Sequence, residues 1–307
     1  MGGSVKSLIV AGQGIRLGGE ISEFRKAAEK YPVVTTWLGA DLLPTDHPNN
    51  IGIIGPCGHQ GANRALHEAW EFMVWGASMS VAQLGAFSPH GRSVDHFQAP
   101  HPTKWAKRES VPLIGSYAFN DRMTRALPAG TVMVVDGGGT ALYTGFQSSY
   151  IKEGSRLVCS SSMSAMGSGL PEAVGACFAN GRKLTTCIIG DGSLMLNVQE
   201  LQTISTHGLP IKIFVLNNGG YLAIRHTQRD FQEGRYYGVG GDDLEFAQVE
   251  MQAHTYGIQY FTEEQYKDAI EWTGPALCEV MCDQNQPMLR QGFKDGKALP
   301  LTEMVLA

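Results

Sequence analysis

The segment LTTCIIGDGSLMLNVQELQTISTHGLPIKIFVLNNGGY, residues 184–221, decides the fold. An apolar run, residues 184–189, leads into Gly190-Asp191-Gly192. After a gap of 24 residues a second apolar run, 211–216, ends in Asn217-Asn218. Asn197 followed by Glu200 reads as a capping-box-like helix start, Val198, Leu201 and Ile204 as its buried stripe, and Gly208 with Pro210 as its end. The order strand, turn, helix, strand predicts two neighbouring parallel strands with oxygen-bearing side chains at their carboxyl ends. That is where ligands sit in parallel α/β sheets. Two such oxygens, with glycines that let the backbone approach, can hold a hard cation and the phosphates it bridges.

Working outward, residues 131–135 predict a strand ending in Asp136-Gly137-Gly138-Gly139-Thr140, 156–159 a short strand, 170–178 a helix and 276–281 a late strand. Nearer the start, 5–11 reads as a buried strand, broken by Gly12-Gln13-Gly14 and Gly18-Gly19 before a helix over 21–30. Strands are predicted at 33–36 and 72–75. Between residues 86 and 112 the pattern fades, with Pro100, Pro102, Pro112, His90, His96 and His101 marking an irregular connection. The domain boundary is placed there, giving units 1–110 and 111–307. Residues 1–4 read as a leader outside the fold.

The chain has 307 residues, 43% hydrophobic and 17% charged, enough to bury a core. A net charge of −5 without a dense basic block argues against nucleic-acid and anionic-membrane partners. The apolar runs are too short to cross a bilayer. Six scattered cysteines without a Cys-x-x-Cys pair read as reduced core thiols of a cytoplasmic protein.

Each motif has a plain alternative. Gly12-x-Gly14 fits a dinucleotide loop, but a third glycine and an acid after the second strand are missing, so a tight turn serves as well. Asn218-Gly219 alone signals a hairpin, and Asp191 alone an ordinary helix cap. Together, one strand-helix unit apart, they are far more specific.

Gly190-Asp191-Gly192-Ser193, Val198-Gln199-Glu200-Leu201 and Leu216-Asn217-Asn218-Gly219-Gly220-Tyr221 resemble the motif of thiamin-diphosphate-dependent enzymes. Residues 164–171 resemble the glycine-rich element of the acetolactate synthase-like branch. Residues 33–39 and 55–63 resemble that family's central domain. The resemblance implies an α/β fold: a doubly wound parallel sheet of the thiamin-diphosphate-binding type, preceded by a smaller, shortened Rossmann-like domain.

It further implies Mg2+ held by Asp191, Asn218 and the backbone carbonyl of Gly220. Diphosphate contacts would come from Gly139, Thr140, Gly190, Gly192 and Ser193, where a helix start favours an anion. Met166 would be the apolar wedge that bends the cofactor, although a core methionine is the ordinary reading. The Ser164 carbonyl would accept from the cofactor's amino group. His226 is a candidate proton donor, although a lone histidine is more often a surface residue.

The family's pyrimidine-binding domain, with its glutamate, has no counterpart in this sequence. Glu20, Glu23 and Glu29 read as a solvated helix face. The expectation is therefore an oligomer, with like or unlike chains, that receives this domain in trans. The shortened central unit argues against a flavin (FAD) site. Thr227, beside His226 and Gln228 and ahead of Phe231, stands where acetohydroxyacid synthases carry a bulky aromatic, which implies a different acceptor.

The activity implied is decarboxylation of a 2-keto acid with carboligation. The rival readings are a simple decarboxylase or lyase on the same cofactor, a catalytically incomplete binding remnant, and a nicotinamide dehydrogenase using Gly12-Gln13-Gly14.

Overall fold

The computed structural model describes residues 7–69, 71–79, 115–160, 163–241, 244–289, 293–294 and 297–298. The expectations for residues 1–4 and for 86–112 lie outside these. The chain forms two compact units, residues 1–111 with 289–307, and residues 112–288. Among the described residues no helix is long and apolar enough to cross a membrane.

The first unit is a four-stranded parallel sheet of β1 (Ser7–Ala11), β2 (Val33–Thr35), β3 (Asn50–Ile53) and β4 (Glu71–Trp75), in the order β3-β2-β1-β4. Leu8, Val10 and Val34 pack one face with Ala62, Ala65 and Leu66 of helix α3 (Gln60–Glu68). Ile9, Ala11 and Val33 pack the other with Phe24 and Ala28 of α2 (Ile21–Ala28). The stripe of α2 that buries Phe24 leaves Glu20, Glu23 and Glu29 exposed, as expected of a solvated face. The short helix α1 (Gly14–Leu17) follows β1 directly.

Gly12 and Gly14 are explained by packing. A Cβ on Gly12 would lie 2.3 Å from the carbonyl oxygen of Gly76, and one on Gly14 2.7 Å from its Cα. The glycines let the end of β4 close on the first turn. Strand β3 has no counterpart among the strands predicted from sequence. It is short, shifts register against Val33 and Val34, and contains Gly52 at φ 127°.

The second unit is a six-stranded, all-parallel sheet. Its strands are β5 (Val132–Val135), β6 (Arg156–Val158), β7 (Thr185–Gly190), β8 (Ile211–Asn217), β9 (Gln259–Thr262) and β10 (Ala276–Met281), in the order β6-β5-β7-β8-β10-β9. The chain moves outward from β5 to β6, then crosses back to start β7 on the other side. The carboxyl ends of β5 and β7 therefore flank a topological switch point.

Strands β7 and β8 are buried on both faces, which is why they read as unbroken apolar runs. Cys187, Ile189, Ile213 and Val215 share one core with Leu170, Leu201 and Ile204. Each such aliphatic side chain contributes about 1.5–3 kcal/mol on burial. Helices follow the strands: α4 (Gly115–Ala126), α5 (Gly139–Ser148), α6 (Gly169–Ala179), α7 (Asp191–Leu196), α8 (Glu200–Thr206), α9 (Leu222–Phe231), α10 (Val249–Thr255) and α11 (Tyr266–Glu271).

One local expectation needs correction, and one alternative set aside in the sequence reading is excluded. Helix α8 starts at Glu200 with Gln199 at its N-cap and no side-chain cap, so the Asn197–Glu200 capping box does not form. Asn197 is engaged elsewhere, its Nδ2 donating to the Gly167 carbonyl at 3.0 Å. The hairpin reading of Asn218-Gly219 also fails. β8 runs through Gly219 (φ 70°) and Gly220 (φ 156°) into α9, and its partner strands are β7 and β10, both parallel.

Candidate functional site

The carboxyl ends of β5, β7 and β8 open onto one pocket. It is lined by the Gly138–Ala141 turn, Met166, the Gly190–Ser193 turn and the run from Gly220 to Ile224. Of the residues singled out from sequence, Gly139, Thr140, Met166, Gly190, Asp191, Gly192, Ser193 and Gly220 are brought together here. Asn218 joins them through its side chain, whose Nδ2 donates to Thr140 Oγ1 at 3.1 Å. That bond leaves the carboxamide oxygen as the free end.

Asp191 is the first residue of α7 and is 4% exposed. Both its carboxylate oxygens are buried without a hydrogen-bond partner. Burial raises its pKa to about 6, with the N–H groups of Gly192, Gly220 and Gly219 opposing from too far or too oblique to satisfy the oxygens. A buried carboxylate left in this way is costly unless a cation or proton balances it.

The backbone around it is built from glycines that admit no side chain. A Cβ on Gly220 would lie 1.9 Å from the Val239 carbonyl oxygen, and one on Gly240 1.9 Å from that of Gly219. The two chain segments meet backbone to backbone, tied by Tyr221 N–H to the Val239 carbonyl at 3.0 Å. A Cβ on Gly192 would strike the Tyr221 ring at 2.5 Å.

Asp136, at the end of β5, is a site residue that the sequence reading passed over. It is fully buried, accepting from Gly138 N–H at 2.8 Å and Gly169 N–H at 2.9 Å. Burial raises its pKa, while these bonds and the Ser193 hydroxyl pull it down. Its partners make it a brace that draws three loops to the pocket wall. The available signal was an acid at a strand end followed directly by glycine, as at Asp191-Gly192.

Ser164 and His226 do not line this pocket. Ser164 holds φ 46°, and its carbonyl carbon would lie 2.3 Å from a Cβ on Gly137, so it backs the wall from behind. His226 is half-buried on α9 with Nε2 unpartnered; burial, then Arg229, lowers its pKa against Asp230 and the Gln286 backbone. Met166 is 39% exposed, so it is not an ordinary core methionine. Thr227 is exposed, with its hydroxyl spent on the Ala223 carbonyl.

Five of the six cysteines are buried, and none is joined in a disulfide. Among the described residues no group of three or more histidine, cysteine or acidic side chains is placed to hold a metal.

A family model described as thiamine pyrophosphate enzyme, C-terminal TPP binding domain, matches residues 136–289. A second, the central domain of the same enzymes, matches residues 3–118. The chain belongs to the thiamine pyrophosphate (thiamin diphosphate) enzyme family.

Among curated relatives it is similar to an acetolactate synthase of Arthrospira platensis, 27% identical over 97% of this chain and 63% of that protein. It is also similar to an acetolactate synthase large subunit of Lactococcus lactis, 25% identical over 97% and 62%. Another large subunit, from Cyanidium caldarium, is 35% identical over 50% of this chain and 28% of that protein. The chain thus spans about 63% of the length of the first of these relatives.

Proposed function

We propose that the chain supplies the diphosphate- and metal-binding half of a 2-keto-acid decarboxylating carboligase of the acetolactate synthase type, dependent on thiamin diphosphate and Mg2+. The observation that carries this reading is the pair of buried, unpartnered carboxylate oxygens of Asp191 on the pocket wall, which also includes Thr140, the residue that Asn218 bonds. A hard divalent cation would satisfy both and fits an all-oxygen ligand set.

Asp191, Asn218 and the Gly220 carbonyl would hold the ion. Gly139, Thr140 and the turn Gly190, Gly192 and Ser193 would take the diphosphate oxygens. Bound here, the cofactor would supply the electron sink that lets carbon dioxide leave a 2-keto acid. Met166 would press on its rings; no contact is assigned to the Ser164 carbonyl, because Ser164 backs the pocket wall from behind. No proton transfer is assigned to His226, which stands outside the pocket.

The pyrimidine-side half, with its glutamate, would come from another chain in a like or unlike oligomer. Cysteines outside any disulfide fit a reducing compartment such as the cytoplasm. The test is to mix the purified chain with a pyrimidine-domain partner and measure carbon dioxide release from pyruvate. Turnover is expected only with both present, with Mg2+ and thiamin diphosphate, and is lost in Asp191→Ala. Acetolactate as product supports ligation, whereas acetaldehyde alone would replace it with simple decarboxylation. Full turnover by the isolated chain would overturn the partner requirement.

A further inference from the structure

A polar chain crosses three strands beside the pocket. Tyr260 on β9 donates its hydroxyl to Glu279 Oε2 at 2.6 Å. Asn217 on β8 donates from Nδ2 to Glu279 Oε1 at 2.6 Å. Asn217 Oδ1 in turn accepts the N–H of Gly219 at 3.1 Å. Each member thus bonds the next, and Glu279, in the middle strand β10, accepts from both sides.

The geometry explains why the members meet. In the β8–β10 ladder Glu279 lies opposite Val215, and in the β10–β9 ladder opposite Thr262. Asn217 and Tyr260 each stand two residues away from those partners, hence on the same face of the sheet. The Tyr260 ring packs on the core shared by Val215 and Leu277, so its hydroxyl has a fixed origin. Burial, and then Glu279, raises the Tyr260 pKa, so the phenol stays a donor.

The chain ends on the turn that matters. Gly219 N–H is the point where β8 leaves the sheet, and Asn217 fixes the peptide that joins Asn218 to Gly219, one residue before Gly220. That turn is otherwise made of two positive-φ glycines, which have little conformational preference of their own. Something outside the turn must select its shape.

We propose that Glu279 is a positioning residue for the cation site, acting through Asn217 and braced by Tyr260, which sets the Gly219–Gly220 turn before any ion arrives. This rests on the metal site proposed above. Partners one step removed from a metal ligand commonly change affinity by about 10–100-fold when removed.

The test is Mn2+ binding to the full chain in the presence of inorganic diphosphate, read from the electron paramagnetic resonance signal of free Mn2+. Glu279→Ala and Asn217→Ala should each weaken binding by about tenfold. The double variant should be no weaker than the weaker single one, because both break the same chain. Glu279→Gln should bind within about twofold of wild type, since its amide oxygen still accepts from Asn217 and the Tyr260 hydroxyl can reverse to accept its N–H. Tyr260→Phe keeps the core ring and should weaken binding by a few-fold, which also serves if Glu279→Ala does not fold.

Asp191→Ala separates the two levels. If it binds Mn2+ as well as wild type, the metal reading fails and this inference with it. If Asp191→Ala loses the ion while Asn217→Ala and Tyr260→Phe bind like wild type, only the positioning role is overturned. Additive losses in the double variant would overturn it too.

Discussion

At the scale of single residues, Asp191 illustrates a function–stability conflict. Its carboxylate is buried without a hydrogen-bond partner, and under the metal reading proposed above that cost would be offset once a cation bound. Asp191→Asn removes that charge at nearly constant shape. In the absence of metal at pH 7.5, the variant should melt about 2 °C or more above wild type, while added Mg2+ and diphosphate should no longer raise its melting temperature. Differential scanning fluorimetry with and without these additions measures both effects. A lower melting point for the variant without metal would show that the protein satisfies Asp191 by itself. Asp136 is the counter-case: the same residue type at the end of a neighbouring strand, but with both oxygens occupied by backbone N–H groups. Burial alone does not separate the two acids; the number of donors that reach each one does.

At the scale of elements, β8 is pinned at both ends by polar groups. Asn217 holds its carboxyl end. Near its start, Lys212 is buried, and its Nζ donates to the carbonyls of Trp272 and, at 2.6 Å, Gly274. Burial lowers the Lys212 pKa to about 8. A lysine whose pKa falls on folding binds its proton more weakly in the native state, so the cost of keeping it charged is present below about pH 8. That cost is relieved as pH rises toward the unfolded value. Urea unfolding should therefore show this group adding stability between about pH 8 and 10 in wild type. Lys212→Met should lack that rise; an identical pH profile would show that the two carbonyls offset the burial.

The same element shows what the sequence could disclose. β7 and β8 were legible because burial on both faces leaves unbroken apolar runs, and because Asp191 and Asn218 fall where each run stops. β3 was not legible, since a bulged strand carrying Gly52 has neither alternation nor an apolar run. Asn197 misled because its spacing from Glu200 matches a cap, whereas its amide is captured by Gly167, 30 residues away in sequence. The Glu279 chain was equally hidden: Asn217 and Glu279 are 62 residues apart, and only the strand order makes them neighbours.

For the whole molecule, all the side chains gathered at the pocket belong to the unit of residues 112–288. That unit expressed alone should retain the Mg2+- and diphosphate-dependent rise in melting temperature, and it should lack turnover. Loss of the rise in a fragment with native circular dichroism would show that the remainder of the chain contributes to binding. The strand order has one more effect. β5, β7 and β8 each have a neighbour on both sides, while β6 and β9 form the margins. Deuterium exchange into these three strands thus requires most of the sheet to open, whereas the margins can fray on their own. The residues proposed above to take the anion are anchored in the slowest-breathing backbone of this unit, so fluctuations at its borders would pass without disturbing them.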